Sequence, residues 1–267
     1  MRVPPELLIA LNQLNVAAFE PSVMGMPLLW VLVLSAFFIG VAKAGFSGVS
    51  YISVFLLAEA FGAKESIGVA LPMLITGDLI VYPAYRKYGD WRSVWQFMWP
   101  ALIGLAVAVY LLTVFSNESM RVAIGLVIVS MVLMQLMKKF FPENFDRLAH
   151  SKAFGISAGV SGGLATMLAN AAGPIMQLFL LSRNVSKLDI IGVGARFFLI
   201  INLIKLPLNA GLDLMTWETL RWNLYMIPVV ALGVWLGKKV LRKVPQKAFE
   251  VLVVTFALIA GVKLLVA

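Results

Sequence analysis

The sequence predicts an all-α integral membrane protein made of two inverted-topology repeats of about five helical segments each, with one short or broken helix per repeat. Three observations carry this expectation. Hydrophobic residues fill 61% of the 267 positions and charged residues only 13%, with a mean hydropathy of +0.93. So few polar groups cannot cover a water-facing surface. Apolar runs recur to the last residue, and basic residues gather between certain pairs of runs while avoiding others.

The net charge of +9 would suit nucleic acid if it lay on a polar domain. The Lys and Arg residues instead sit in short loops beside apolar runs, as the positive-inside rule arranges them, so no nucleic-acid partner is expected. With no cysteine in the chain, disulfides, thiolate metal sites and Cys nucleophiles are excluded.

Taken in order, residues 1–26 contain the apolar stretch Leu7–Leu11, flanked by Pro4, Pro5, Glu6 and Asn12. It lacks a basic start and a small-residue cleavage site, so it reads as a short amphipathic lead-in. The first repeat, 27–140, holds the runs Pro27–Ala42, Val49–Phe61, Ile67–Tyr85, Val94–Phe115 and Met120–Met137, with a Gly/Ser-interrupted stretch at Lys43–Gly48. A polar, basic hinge spans Lys138–Lys152, its centre at 141–152. The second repeat, 153–267, runs through Ala153–Ala169, a break at Asn170–Pro174, then Ile175–Leu181, Ile190–Leu208, Leu224–Val240 and Phe249–Ala267. The runs after Gly48 and after Pro174 fall short of the roughly 20 residues that span a bilayer and read as half-helices or tilted pieces.

Matched positions expose the repeat. Gly40–Gly48 (GVAKAGFSG) lines up with Gly155–Gly163 (GISAGVSGG), Gly68-Val69 with Gly192-Val193, Asp78 with Asn202 and Pro83 with Pro207. Asp90-Trp91 stands opposite Thr216-Trp217, and Pro100–Gly104 opposite Pro228–Gly233. Pairs in this order on equivalent segments make an internal repeat. Charge then orients it. Arg86, Lys87 and Arg92 crowd one loop of the first half, whose counterpart 209–219 has no Lys or Arg. Conversely, 116–119 is free of basic residues, while its counterpart carries Lys238, Lys239, Arg242, Lys243 and Lys247. Basic loops that swap between halves imply an odd number of runs per half, a cytoplasmic hinge and both termini outside.

Inverted repeats with interrupted helices suit a secondary transporter with a midplane site. At the two breaks, Gly45, Phe46, Ser47 and Gly48 in one half and Asn170, Gly173 and Pro174 in the other are candidate substrate-binding residues. A helix starting after such a break offers free N–H groups to an anion, although small residues in membranes also serve simple close packing. Charges inside apolar runs are sharper, each costing roughly 3 kcal/mol to insert. These are Lys43, Asp78, Arg196 and Lys205. Basic groups dominate, which favours a small anionic substrate. Lys43 and Asp78 also fit an ion pair that only staples helices, and Arg196 fits a snorkelling side chain. Asn202 and Asn170 fit either substrate donors or interhelical bonds. His150 reads as a solvated hinge residue, Asp189 and Asp213 as interfacial, and Trp91, Trp95, Trp217 and Trp222 as an aromatic belt. No catalytic triad, metal-spaced cluster or phosphate-cradling loop is present, so no enzyme activity, cofactor or metal is expected.

The stretch Val41-Ala42-Lys43-Ala44-Gly45-Phe46-Ser47-Gly48 resembles the Lys-Gly-Phe-rich signature of the sulfite exporter TauE/SafE family. Leu71-Pro72, Asp78, Asp90-Trp91, Pro100 and Gly104 continue the pattern, and Gly173-Pro174, Phe197-Phe198, Asn202 and Lys205 match its second half. The resemblance covers the chain from about Pro27 onward. One departure is Asn170-Ala171-Ala172-Gly173, where a His would be expected before the Gly-Pro, so a proton-carrying role does not carry over to this loop. The resemblance implies export of sulfite, short sulfonates or related organic anions across the bacterial cytoplasmic membrane. On that hypothesis Lys43 and Lys205 neutralise the anion, backbone at Gly45–Gly48 and Gly173 donates to it, and Asp78 positions Lys43 or exchanges the coupling proton. Membrane lipid is the surrounding partner, and the small-residue faces leave room for a homodimer. An anion channel and a membrane-embedded enzyme are the alternatives, separated from a carrier by saturable, gradient-driven flux and by product chemistry.

Overall fold

The computed structural model describes residues 27–141, 151–181 and 186–240, with single positions 143, 255, 258, 259, 262 and 265. The amphipathic lead-in, His150 with the centre of the hinge, Arg242, Lys243, Lys247 and nearly all of the run Phe249–Ala267 lie outside the described residues. The elements are α1 (Leu28–Lys43), a 3₁₀ turn (Ser47–Val49), α2 (Ser50–Phe61), α3 (Glu65–Tyr85), α4 (Trp91–Val114), α5 (Asn117–Phe140), α6 (Lys152–Ala169), α7 (Gly173–Leu181), α8 (Lys187–Gly211) and α9 (Trp217–Val240). No strand occurs among the described residues, and five of the helices are long and apolar enough to cross a membrane.

Several helices begin a few residues before their apolar runs because polar caps extend them. Asp90 accepts from the Ser93 amide, Ser116 from Ser119, Ser151 from Phe154 and Ser186 from Asp189. Each occupies the N-cap position and satisfies an N–H that the helix itself cannot.

The short pieces pair as hairpins. α1 has 16 residues, about 24 Å at 1.5 Å per residue, less than a bilayer core. The chain turns after Lys43, and α2 runs back beside α1, where Ser53 Oγ donates to the Ser35 carbonyl at 3.0 Å. α6 and the nine-residue α7 form the second hairpin, turning at 170–172.

The long helices cradle the hairpins. α3 and α8 lie antiparallel: Gly68 abuts Leu214, Asp78 meets Asn202, and Arg196 reaches the loop after α3. α1 packs on α9 and α4 on α6, so each half closes on the other. Glycines permit these approaches, since a Cβ at Gly40 or Gly233 would strike backbone of the facing helix, as would one at Gly104 or Gly163. The structure places all of Gly155–Gly163 inside α6, with Gly159 against Pro100, Gly162 against Phe97 and Gly163 against Ala101. Its likeness to Gly40–Gly48, which straddles the end of α1, is therefore one of composition; here the glycines are packing notches.

The outer surface is apolar along whole helices. On α4, Trp91, Trp95, Trp99, Ile103, Val107, Tyr110 and Val114 are all exposed at helical spacing. Such a stripe along 24 residues has a favourable solvent only in hydrocarbon. Lys238 Nζ lies 5.4 Å from the Tyr85 ring centre, so the basic loop after α3 and the basic end of α9 share one end of the molecule.

Gly104→Leu should disrupt the α4–α6 contact, where overpacking costs about 1–3 kcal/mol. Its thermal melting in detergent should fall by several degrees, whereas Gly211→Ala, with nothing within 4 Å of the added Cβ, should melt close to the parent.

Candidate functional site

Both hairpin tips need special backbone. Gly45 holds φ +122° just after α1, and Asn170 ends α6 in the left-handed region at φ 52°. Asparagine tolerates that conformation, and it leaves last-turn carbonyls of α6 for other donors. Pro174 sits buried in the first turn of α7, where its missing N–H is no loss.

Five side chains meet at these tips. Lys43, the last residue of α1, donates from Nζ to Asp78 Oδ1 at 2.5 Å. Asn202 Nδ2 donates to the other oxygen, Asp78 Oδ2, at 2.7 Å. Lys205, one turn along α8 from Asn202, donates to the Thr166 carbonyl at 2.6 Å and to Asn170 Oδ1 at 2.5 Å. Asn170 Nδ2 in turn donates to the Ile67 carbonyl at 3.4 Å. Asp78 and Asn202 are each 1% exposed and Lys205 is fully buried. The Lys43 ammonium also lies 4.7 Å from the Phe198 ring centre, a cation–π contact. Gly77 makes room for the Lys43 stem, because a Cβ there would come within 2.9 Å of Lys43 Cγ. Lys205 is within electrostatic reach of both Lys43 and Asp78.

The cluster therefore holds two ammonium groups and one carboxylate. The negative ends of α1 and α6 face the two lysines and soften this excess. Asn202 Oδ1 is buried without a hydrogen-bond partner.

The structure brings Lys43, Asp78, Asn170, Asn202 and Lys205 together. Gly45, Phe46, Ser47 and Gly48 lie on the tip that carries Lys43, and Gly173 and Pro174 on the N-terminus of α7 beside Asn170. Arg196 is elsewhere. Its guanidinium donates to the carbonyls of Tyr88 at 2.7 Å, Gly89 at 2.8 Å and Arg86 at 2.5 Å, and stacks 5.2 Å from the Trp91 ring centre. It is 6% exposed, so it neither pairs with Asp78 nor snorkels. It clamps the loop after α3, helped by Asp189, which accepts from the Gly89 amide at 2.7 Å. The Thr166 carbonyl, which also accepts from the Asn170 amide at 3.1 Å, was invisible to side-chain reasoning; the signal for it is Asn170, which ends α6 one turn later.

Replacing Lys43 by Met leaves a buried carboxylate short of its cation and should cost about 3–5 kcal/mol. The double variant Lys43→Met/Asp78→Leu removes both charges and should melt higher in detergent than Lys43→Met alone. Destabilisation equal to the sum of the single variants would show that the two groups do not act as a pair.

No curated protein and no solved structure matches the chain. The family model described as Sulfite exporter TauE/SafE matches residues 32–264. That span takes in all but the first turn of the first hairpin, the whole of the second, the buried cluster and all five long helices. The chain belongs to the sulfite exporter TauE/SafE family of membrane transporters.

Proposed function

We propose that this protein is a secondary transporter that exports small oxyanions, sulfite or short sulfonates, by alternating access around the Lys43–Asp78–Asn202–Lys205 cluster. The observation that carries this reading is the unmatched buried cation: two lysines face one aspartate with almost no solvent. Burying a charge without a partner costs several kcal/mol, and an oxyanion between the hairpin tips would supply the partner. Sulfite, with three oxygens, can accept from both ammonium groups and from backbone N–H at Gly45–Gly48 or Gly173.

The cluster also supports proton coupling. Protonating Asp78 would release Lys43 and raise the net charge of the three groups from +1 to +2, so proton and anion would bind together. A doubly charged anion moving with one proton carries net charge −1. An inside-negative potential then drives export, at about 2.3 kcal/mol per charge per 100 mV. The odd helix count of the first half fits as well: a hairpin contributes two passes or none, so the three long helices α3, α4 and α5 would invert the second half. With basic loops inside, the hinge is cytoplasmic and both termini are outside, in the bacterial cytoplasmic membrane.

The test is uptake of labelled sulfite and a short sulfonate into proteoliposomes. Saturable flux, accelerated by a proton gradient directed the same way, is expected for the parent. Lys205→Met and Lys43→Ala should abolish it in protein that still elutes as a folded species. Flux that persists in both variants, or none in the parent, would overturn the reading.

A further inference from the structure

Three polar groups beside Lys205 lack partners, and they lie along one face of α8. Asn202, Lys205 and Asn209 are spaced three and four residues apart, so their side chains stack on a single stripe about 10 Å long. Asn202 Oδ1 is buried and unpartnered. Lys205 uses two acceptors for its three N–H donors. Asn209 is fully buried, and both its Oδ1 and its Nδ2 have no hydrogen-bond partner.

A primary amide sealed from water with every donor and acceptor idle is costly, and a hydrophobic side chain would remove the penalty. Asn209 thus works against stability at its position, unlike Asn223, whose Nδ2 donates to the Val69 and Thr219 carbonyls. A guest that hydrogen-bonds at Asn209 would offset the cost. The stripe also has a direction. It leads from Lys205 toward the end of α8 where Leu214 abuts Gly68. A small cavity between α2, α3, α5 and α6 includes Ser66, Ile67 and Asn170 in its lining, the last being the acceptor for Lys205, but no residue of α8. The opposite end of α8 is filled by the Arg196 clamp on the 86–89 backbone.

We infer that Asn209 forms, with the free N–H of Lys205, a second station for the transported oxyanion on the path toward the Leu214 end. The amide donates to an oxyanion oxygen as the anion leaves Lys205, and Asn209 Oδ1 accepts from the anion's hydroxyl or from water that accompanies it. This inference rests on the anion-transport reading of the cluster. It adds a site that neither the ion pair nor the hairpin tips contain.

The experiment uses the full-length protein, sulfite as probe, and three readouts: thermal melting, sulfite binding by calorimetry, and the half-saturating sulfite concentration in proteoliposomes. Asn209→Leu should melt at or above the parent, because an unpaired amide is gone, yet raise the half-saturating concentration about tenfold, the loss of one hydrogen bond to a charged group. A side chain of purely structural role would not separate these readouts. Asn209→Asp, nearly isosteric, should raise it further by repelling the anion and serves if the leucine variant misfolds. Parent-like binding and transport in either folded variant would overturn the station while leaving the carrier reading intact. A parent that binds no sulfite would overturn both.

Discussion

Everything near the middle of this bundle depends on the Asp78 carboxylate. One oxygen accepts from Lys43 at the tip of the first hairpin and the other from Asn202 on α8. A single side chain on α3 thereby fixes the depth of a helix too short to span and its register against the antiparallel helix. Neither contact would hold alone, since a lone charge in hydrocarbon costs roughly 3 kcal/mol to insert. Together they give the carboxylate a cation and an amide donor. Lys205 does the corresponding work for the second hairpin, but with inverted chemistry. There the cation sits on the long helix, and the hairpin tip offers a helix-end carbonyl and an asparagine oxygen. Because only one of the two lysines meets a carboxylate, the same anchoring that positions both tips leaves the centre cationic.

Most of the helical frame was legible in the sequence because hydrocarbon allows so few solutions. A run of apolar residues must hydrogen-bond its own backbone, and helices do so within one segment. The runs Val49–Phe61 and Ala153–Ala169 match α2 and α6 to within a residue at each end. The N-terminal ends of longer helices were less legible, since Asp90, Ser116 and Ser186 begin them in polar residues that hydropathy assigns to loops. Proline did not interrupt the runs: Pro72, Pro83, Pro100, Pro207 and Pro228 all lie inside helices, as the apolar runs that contain them imply.

The centre was legible in its charges and in the Lys43–Asp78 pair, and illegible in its backbone partners. Lys43, Asp78 and Lys205 stand out because each is expensive in an apolar run. That Lys205 would meet the Thr166 carbonyl at the end of α6, and Arg196 three carbonyls of a loop more than a hundred residues away, depends on how the helices pack. Side-chain composition carries no record of a backbone acceptor. Glycine was ambiguous for a related reason. The strings Gly40–Gly48 and Gly155–Gly163 look alike, but the first ends a helix, with Gly45 at positive φ, while the second notches one against α4.

The two ends of the α3–α8 pair are held unequally, and this follows from one substitution between the halves. Gly68 and Gly192, matched in sequence, make the same kind of contact: each lies against the loop after the opposing long helix, at Leu214 and Tyr88. The matched positions one turn further in are Pro72 and Arg196. Proline has no donor to give, so the Leu214 end closes on backbone packing, with Asn223 on the Val69 carbonyl nearby. Arginine donates three times to the loop at the other end, each such charge-assisted bond contributing about 1.5–3 kcal/mol. Separating α3 from α8 is therefore cheaper at the Leu214 end than at the Arg196 end. That is also the end of α8 that carries the unpaired Asn209 amide, so polarity and weak closure coincide on one side of a centre that Asp78 holds fixed.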